Sequence, residues 1–413
     1  MAKEKVVNSA AKDDFDKILD GLEKQFGEGN IFNGEEAFLK DKFIQLSAPR
    51  LTWAYGGSFK LNAIHRLNGT ESSGKTTLAT YLAGECQKAK YEETKDWNMC
   101  HVVILDNERT FDIKHAEDLS LKILNPDNGK PLVHVCRNLY VADQEVAYEK
   151  MVVSGKVCCC IFDSDAAGID RTSFGEVGYE ETEKATFGSG AKTAGMVIKR
   201  MNYFVDKYCT PVIWISQERA NQNMMSHLNS LTGGMAVNFY PSTRFRVSAK
   251  EPLTKNGEIV GLKIKIKNYK NKTGIPNREC FLDIYFKDGD GFKKGIDGEG
   301  QYLDMLLELG LISQHGAWYY YRENDPDETK RVRMQGWAGV QNWFKENPTE
   351  FEEIKKLVNA KMSGFDEILD KKSVEVNEVE EAKKEAEETE KRKTENTEKL
   401  AEEAPASTSG ETE

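Results

Sequence analysis

The segment Gly69-Thr-Glu-Ser-Ser-Gly74-Lys75-Thr76 constrains the fold of this chain more than any other feature. It matches the pattern G-x-x-x-x-G-K-[ST], follows the apolar run AIHRL and opens the helical stretch TTLATYLAGECQKA. In such a strand–turn–helix unit, backbone N–H groups surround the β-phosphate and the helix N-terminus adds partial positive charge. Lys75 is expected to reach the β- and γ-phosphates, and Thr76 to give its hydroxyl to Mg²⁺. The pattern therefore predicts a nucleoside-triphosphate site.

Apolar runs between residues 60 and 300 alternate with helical patterns, which predicts an α/β fold with a mostly parallel sheet. The runs are AIHRLNG, CHVVILD, HVCRNLYVA, KVCCCIFD, TPVIWIS, TRFRVSA, LKIKIKN and FLDIYF. Several are apolar throughout, which is typical of strands covered on both faces. One run contains three consecutive cysteines, Cys158–Cys160. They form either a metal or redox cluster or a stretch of buried strand, and the alternating direction of strand side chains favours the strand.

Polar residues follow three of these runs at the points where the strands should end. Asp163 ends IFD and is the candidate to hold the Mg²⁺ shell. Glu108, just past VVILD, is either a general base for the attacking water or an ordinary surface carboxylate. Gln217 follows VIWIS and is either a sensor of the γ-phosphate or a simple loop-start residue. Because the carboxyl ends of parallel strands line the ligand crevice, the functional interpretation is open for all three.

Composition divides the chain into four regions. Residues 1–40 contain an amphipathic helical pattern at 12–27, which needs a partner surface in its own domain or on a neighbouring subunit. Residues 41–300 carry the α/β patterns, and 301–372 are expected to form a small separate domain, helical and with an aromatic cluster, WYYY. Residues 373–413 are Glu- and Lys-rich and almost free of large apolar side chains, so we expect this tail to be disordered.

The net charge of −11 lies mainly near the C-terminus. Residues 376–413 hold 13 Glu against 6 Lys or Arg, which leaves −4 for the remainder. A mildly acidic body can bind nucleic acid if its lysines gather along one channel. No apolar stretch approaches the roughly 20 residues of a membrane span, and no apolar segment of a secretory signal follows the N-terminal lysines. We therefore expect a cytoplasmic protein that has no membrane partner.

Taken together, the motifs resemble the RecA family of DNA recombinases, from about residue 15 to 365. The segments that carry the resemblance occur in family order: GLEKQFGEGNI, GTESSGKTT, LDNERTFD, FDSDAAG, SQER, LTGGMAVNFYPSTRFRV, KNKTGIP, HGAWYYY and WFKENP. The resemblance implies a RecA-like P-loop ATPase core, an N-terminal helix that docks on the adjacent subunit, and a small C-terminal α/β domain.

The same resemblance implies a function. A protein of this family forms helical filaments on single-stranded DNA, pairs it with homologous duplex DNA and exchanges strands. Its DNA-stimulated hydrolysis of ATP drives filament turnover, with roles in recombination, repair and the SOS response. Single-strand-binding protein and loading mediators are further implied partners. A longer first DNA loop and a loosely matching region at 42–60 suggest a divergent member, and a phage origin is one interpretation.

ATP and Mg²⁺ are the cofactors that the resemblance implies. Asp112 matches a residue that contacts the adenine, whereas His115 stands where the family has an aromatic residue that stacks on the base. Thr76 and Asp163 would serve the metal. The full set of implied nucleotide-binding residues is Gly69, Glu71, Ser72, Ser73, Gly74, Lys75, Thr76, Thr77, Asp112 and His115.

The resemblance implies that the catalytic residues come from two subunits. Lys270 and Lys272 match lysines that reach across the subunit interface to the neighbour's γ-phosphate. Such an arrangement completes the site only when two subunits meet. The implied catalytic set is Lys75, Glu108, Gln217, Lys270 and Lys272.

Two loops of the family bind DNA, and they correspond here to Glu176–Gly195 and Asn221–Ala236. Glycine amides in the second loop can approach phosphates, and its methionines can wedge between bases. Basic residues on the helical stretch at the end of the first loop would neutralise backbone phosphates. The implied DNA-binding residues are Lys192, Lys199, Arg200, Met224, Met225, Gly233 and Gly234.

Two other functions remain open at this point. One is a hexameric helicase-type motor of the same ATPase superfamily. The other is a non-hydrolysing paralogue that regulates recombination. The presence of Glu108, Lys75, Lys270 and Lys272 argues against the paralogue, and the N-terminal helix with the GAWY segment argues against the helicase.

Overall fold

The computed structural model describes residues 17–26 except 20 and 23, and then 41–165, 167, 189–219, 230–231, 236–289 and 292–363. The chain divides into two compact units, Met1–Asp304 and Met305–Glu413.

A ten-stranded sheet dominates the described part of the first unit. Its strands are β3 (Ile64–Gly69), β4 (His101–Asp106), β5 (Val133–Cys136), β6 (Val157–Asp163), β7 (Val212–Arg219), β8 (Ser230–Leu231), β9 (Thr243–Lys255), β10 (Glu258–Asn271), β11 (Glu279–Tyr285) and β12 (Gly295–Ile296), and the short strands β1 (Phe43–Ile44) and β2 (Phe59–Lys60) pair separately. The strand order across the sheet is β12-β11-β10-β9-β3-β7-β6-β4-β5, and β8 pairs with β7. The six strands from β9 to β5 run parallel, whereas β9 to β12 pair antiparallel. The predicted α/β fold with a mostly parallel sheet is confirmed.

Helices cover both faces of this sheet. They are α1 (Pro49–Ala54), α2 (Lys75–Thr94), α3 (Ile113–Asp118), α4 (Val141–Val152), α5 (Ser189–Tyr208) and α6 (Ala236–Phe239). A further helix, α7 (Gly298–Glu308), contains the division between the two units. Ile104 of β4 packs into the apolar cluster that contains α2, and its neighbour Leu105 packs into the cluster on the α4 and α5 side. Alternate residues of one strand thus enter two cores, which explains why the run is apolar throughout.

The cysteine run is part of β6. Cys158 and Cys159 belong to one apolar cluster and Cys160 to the other, and all three are buried. Burial raises the pKa of each of the three thiols. These side chains therefore act as small core residues, as the strand interpretation requires.

The run HVCRNLYVA is only partly a strand, contrary to the sequence expectation. The strand ends at Cys136, and α4 begins at Val141. Asn138 has a φ of 59°, in the left-handed region, which turns the chain away from the sheet. Apolar residues after this turn belong to the N-terminus of a helix, and a short apolar run does not distinguish these two structures.

The described second unit combines a three-stranded antiparallel sheet with two helices. The elements are β13 (Ile312–His315), β14 (Trp318–Tyr321), β15 (Val332–Gln335), α8 (Gly336–Glu346) and α9 (Pro348–Ser363). The aromatic cluster WYYY, expected within a helical region, is β14. Aromatic side chains favour strands, and Gly316, with a φ of 62°, makes the turn from β13.

Helical residues occur at 17–19, 21–22 and 24–26, within the predicted N-terminal helix. Ile18 and Phe26 are 56% and 60% exposed. Docking of this helix on a neighbouring subunit remains a prediction.

Candidate nucleotide site

The phosphate loop joins β3 to α2, as its sequence context predicts. Gly69 ends β3, and a Cβ there would lie 2.3 Å from the carbonyl oxygen of Val247 on β9, so only glycine fits. Gly74 precedes α2 with a φ of 92°, the left-handed conformation that glycine adopts without strain. Glu71 and Ser72 are exposed on the loop. The backbone therefore has the turn that a phosphate requires.

Lys75 is buried at the start of α2 and points back over the loop. Its Nζ donates a hydrogen bond to the carbonyl oxygen of Thr70, at 2.5 Å. Burial lowers the pKa of Lys75, and the carboxylates of Asp163 and Glu108 act in the opposite direction. The ammonium group is thus held beside the loop, where a nucleotide's phosphates could replace the carbonyl as its partner.

Thr76 and Asp163 form the part of the site that fits a magnesium ion. Thr76 Oγ1 donates to Asp163 Oδ2 at 2.9 Å, while the buried Asp163 Oδ1 has no hydrogen-bond partner among the described residues. Ser73 Oγ, on the same loop, is also buried and unpartnered in that part of the chain. Burial, with the nearby charge of Glu108, raises the pKa of Asp163 to about 7. A hard cation with its water would satisfy these oxygens and favour the carboxylate form.

Glu108 and Gln217 lie in direct contact. Gln217 Nε2 donates to Glu108 Oε1 at 2.8 Å, and Ser164 Oγ donates to the same oxygen. Glu108 follows β4, Ser164 follows β6 and Gln217 lies in β7, so three strands contribute to one cluster. The sequence predicted Glu108 and Gln217 at the ends of strands, and the structure places the two side chains in contact. Ser164 was not predicted from the sequence.

A second cluster, which sequence reasoning missed, supports the turn that carries Glu108. Asp106 ends β4 and is buried, and its carboxylate pairs with Arg137 Nε at 2.8 Å. The same carboxylate accepts from the backbone N–H groups of Thr110 and Phe111. An acid at the end of an all-apolar strand was the available signal. Its bonds fix both sides of the Glu108 turn.

The two residues assigned to the adenine lie at the N-terminus of α3. Asp112 caps this helix by accepting from the backbone N–H groups of Lys114 and His115, and these bonds lower the pKa of Asp112. His115 Nε2 lies 3.1 Å from Thr77 Oγ1 on α2. His115 thus contacts the phosphate-loop helix, and Asp112 caps the short helix that carries His115. Contact of either residue with a base remains a prediction.

Lys270 and Lys272 lie far from the phosphate loop of their own chain. Asn271, between them, pairs with Thr243, which in turn pairs with His65, four residues before Gly69 on β3. At about 3.3 Å per residue, His65 lies roughly 13 Å along β3 from the loop, and Arg66, which is level with Lys270 through Arg244, lies roughly 10 Å from it. The structure does not bring them into the site that Lys75 forms.

Both lysines instead hold the C-terminal end of α6. Lys270 Nζ donates to the carbonyl oxygens of Asn238 and Phe239, at 3.0 and 2.7 Å. Lys272 Nζ donates to those of Phe239 and Tyr240, at 3.2 and 3.4 Å. Burial, with the charge of Lys272 and Arg244, lowers the pKa of Lys270 to about 8.

Two of the predicted DNA-binding residues are described on α5. Lys199 is exposed, whereas the guanidinium of Arg200 pairs with Glu145 and Glu149 of α4, at 2.9 Å each. A DNA phosphate would compete with these carboxylates for Arg200. The remaining predicted residues lie outside the residues whose side chains are described: Lys192, Met224, Met225, Gly233 and Gly234.

Two features are absent from the described part of the chain. No three His, Cys, Asp or Glu side chains in that part of the molecule are grouped as a metal ion would need. No helix there has both the length and the apolar character of a membrane crossing.

Comparison with known proteins places this chain in a family. Residues 13–291 match the family model described as the RecA N-terminal domain. Protein RecA of Enterococcus faecalis is 31% identical over 352 residues, which cover 83% of this chain and 90% of the relative. Protein RecA of Campylobacter lari is 29% identical over 364 residues, or 86% and 94% of the two chains. The phosphate loop, the strand-end carboxylates and these matches establish that the chain belongs to the RecA family.

Proposed function

We propose that this protein is an ATP-dependent DNA recombinase that forms helical filaments on single-stranded DNA and exchanges strands with homologous duplex DNA. The observation that carries the proposal is the cluster of Lys75, Asp163, Glu108 and Gln217 at one edge of the parallel sheet. RecA relatives that align over most of the chain support the same conclusion.

In the proposed reaction, ATP is hydrolysed to ADP and phosphate. The loop amides and Lys75 bind the phosphates, and the Thr76 hydroxyl with Asp163 holds the Mg²⁺ shell. When bound, Mg²⁺ would neutralise charge on the β- and γ-phosphates. Glu108 orients the attacking water and accepts its proton. Because Gln217 shares a hydrogen bond with Glu108, a γ-phosphate that attracts the Gln217 amide also changes the partners of the base.

Filament formation would complete the site. Lys270 and Lys272 lie at the end of β10, two strands from β3 and roughly 10 Å or more from the phosphate loop along the strand direction. This separation favours a role at the nucleotide of a neighbouring subunit. Their present partners are main-chain carbonyls, which a γ-phosphate could replace as the stronger acceptor. Nucleotide binding and subunit assembly are thereby coupled. In this proposal, residues 1–40 supply the docking helix and 41–300 the ATPase core with its DNA loops.

Electron microscopy of the full chain tests this function against the helicase alternative. The protein is mixed with single-stranded DNA and a slowly hydrolysed ATP analogue, and the Lys75→Ala variant serves as the control. Nucleotide-dependent helical filaments are expected for the wild type and none for the variant. Closed rings would favour the hexameric motor, and failure to assemble on DNA would contradict the recombinase proposal.

A further inference from the structure

The connection between β5 and α4 contacts the turn that carries Glu108 at two separate points. Arg137 lies directly after β5, and Gln144 lies in the first turn of α4. Between them the chain turns away from the sheet at Asn138. Neither Arg137 nor Gln144 belongs to the proposed phosphate, metal or catalytic groups, so their contacts with this turn call for a separate explanation.

The first contact joins the two sides of the turn. Arg137 Nε donates to Asp106 Oδ2 at 2.8 Å, and Arg137 Nη2 donates to the carbonyl oxygen of Phe111 at 3.3 Å. Asp106 precedes Glu108 and Phe111 follows it. The Asp106 carboxylate also accepts from the backbone N–H groups of Thr110 and Phe111, at 3.3 and 3.4 Å. Because the donors of a guanidinium lie in one fixed plane, a single side chain can hold both sides of the turn.

The second contact fixes the residue that directly precedes Glu108. Gln144 Nε2 donates to Asn107 Oδ1 at 2.6 Å. The backbone N–H of Asn107 donates to the carbonyl oxygen of Asp163 at 2.6 Å, and Asn107 Nδ2 donates to that of Ser164 at 3.2 Å. The backbone and the side-chain amide of Asn107 are thus both bonded, and Gln144 completes the bonds that hold this residue at the end of β6.

Stability alone explains a glutamine at position 144 poorly. Gln144 is 1% exposed, and its Oε1 has no hydrogen-bond partner among the described residues. A buried polar atom without a partner is costly, and an apolar side chain of the same length would avoid that cost. The benefit of the amide is therefore its directed hydrogen bond to Asn107.

The turn itself needs such support. Arg109, the residue after Glu108, has a φ of 60°, in the left-handed region that residues other than glycine adopt uncommonly. A general base must lie within hydrogen-bond reach of the water that it activates. A displacement of about 1 Å can slow a reaction by about 10²-fold. Bonds that hold the backbone on both sides of Glu108 would therefore affect the rate of hydrolysis.

We propose that Arg137 and Gln144 are positioning residues that hold Glu108 in place for the attack of water on ATP. This inference rests on the proposed role of Glu108 in hydrolysis. Among the described residues, the side-chain hydrogen bonds of Arg137 and Gln144 end on the Glu108 turn and, for Gln144, also on the carbonyl oxygen of Leu139. Loss of either side chain should therefore slow the chemical step and leave nucleotide binding nearly unchanged.

The test uses the full-length variants Arg137→Ala and Gln144→Met, each with a matched control. Arg322→Ala removes a partly exposed arginine that pairs with two carboxylates of the second unit. Gln87→Met removes another buried glutamine, whose amide donates only to main-chain carbonyl oxygens. For each variant, kcat for radiolabelled ATP is measured with a single-stranded oligothymidylate present, together with the affinity for a fluorescent nucleotide and the thermal unfolding midpoint.

We expect kcat of Arg137→Ala and of Gln144→Met to fall by about 10–10²-fold while nucleotide affinity stays within about threefold of the wild type. Both controls should keep the wild-type kcat, even where Gln87→Met lowers the unfolding midpoint. A wild-type kcat in Arg137→Ala or in Gln144→Met would overturn the proposal for that residue. If Gln87→Met lost as much kcat as Gln144→Met at the same unfolding midpoint, the role of Gln144 would be merely structural.

Combination of each substitution with Glu108→Gln shows whether the residue acts through Glu108. If it does, adding Arg137→Ala or Gln144→Met to Glu108→Gln should change the remaining rate by no more than about twofold. The same fold loss in the presence and absence of Glu108 would overturn the positioning role and leave the proposed function intact. Hydrolysis by Glu108→Gln alone at the wild-type rate would instead contradict the proposed role of Glu108, and this inference would fail with it.

Discussion

Replacing Asp163 by asparagine should stabilise the protein in the absence of nucleotide and Mg²⁺ while weakening the binding of both. In the ligand-free site this carboxyl is buried beside Glu108, and its pKa rises from 3.8 to about 7. The folded protein therefore holds the proton more tightly than the unfolded chain. Stability from this group is greatest at low pH, falls as pH rises from 3.8 to about 7, and is constant above.

The size of the effect follows from that interval. At roughly 1.36 kcal/mol per pH unit, the interval between the pKa values of 3.8 and about 7 corresponds to a loss of about 4 kcal/mol in the free energy of unfolding. This figure is an upper bound because water can enter the site. An asparagine carries no charge, yet its amide oxygen can still accept from Thr76 Oγ1. We therefore expect Asp163→Asn to raise the free energy of unfolding by about 1–4 kcal/mol at pH 7.5 and to leave it nearly unchanged at pH 4.

Urea denaturation at pH 4, 5.5 and 7.5 without Mg²⁺ measures this difference. Asp106→Asn is the matched control, because Asp106 is another buried carboxyl at a strand end but is paired with Arg137. Its removal should destabilise the protein at pH 7.5, since it leaves that arginine without its carboxylate. Equal stability of wild type and Asp163→Asn at pH 7.5, or a gain that is independent of pH, would refute the reasoning.

Four further predictions concern activity. Glu108→Gln should retain nucleotide binding but hydrolyse ATP about 10²–10⁴-fold more slowly, as for loss of a general base, and a wild-type rate would contradict the assignment. Lys75→Ala should lose both binding and hydrolysis, as measured with a fluorescent nucleotide; normal affinity would argue against its role. Replacing Lys270 and Lys272 together by Ala should abolish cooperative stimulation by single-stranded DNA while lowering stability by only about 1 kcal/mol, because the lost partners are helix-end carbonyls; normal stimulation would exclude the interface role. Truncation after Ser373 should speed loading on duplex DNA at low Mg²⁺, because the acidic tail competes with DNA for the same lysine side chains. Equal loading rates of full-length and truncated protein across a Mg²⁺ series would contradict this prediction.

Short sequence patterns predicted the elements whose structure depends on residues that are close together in the chain. The phosphate loop depends on glycines at fixed spacing between a strand and a helix, and this strand–turn–helix context was predicted correctly. Apolar runs such as CHVVILD correctly predicted buried strands. Helices cover both faces of the sheet, so the side chains on both sides of such a strand pack into apolar clusters. The run HVCRNLYVA was misassigned beyond Cys136, because apolar residues at a helix start have no period that separates them from a strand.

Contacts between distant residues could not be predicted in the same way. Asp106 pairs with Arg137, 31 positions later, and Arg66 with Asp165, 99 positions later. The first pair exists because β4 and β5 are neighbours in the sheet, and the second spans β7, which lies between β3 and β6. The order β3-β7-β6-β4 is not encoded in any single segment. The sequence therefore indicates that Arg66 is unusual within an apolar strand, but not which residues neutralise it.

Strand order also explains why the hydrogen bond between Glu108 and Gln217 depends on the positions of several strands. β6 lies between β4 and β7, so Glu108 and Gln217 come from strands about 10 Å apart, at roughly 4.8 Å per strand. Their hydrogen bond crosses the end of β6, where Ser164 donates to the same oxygen of Glu108. A bond that bridges two strands in this way depends on the position of both strand ends. Arg66 donates to Ser216, the residue before Gln217 in β7, so it also restrains one half of the pair through a neighbouring residue.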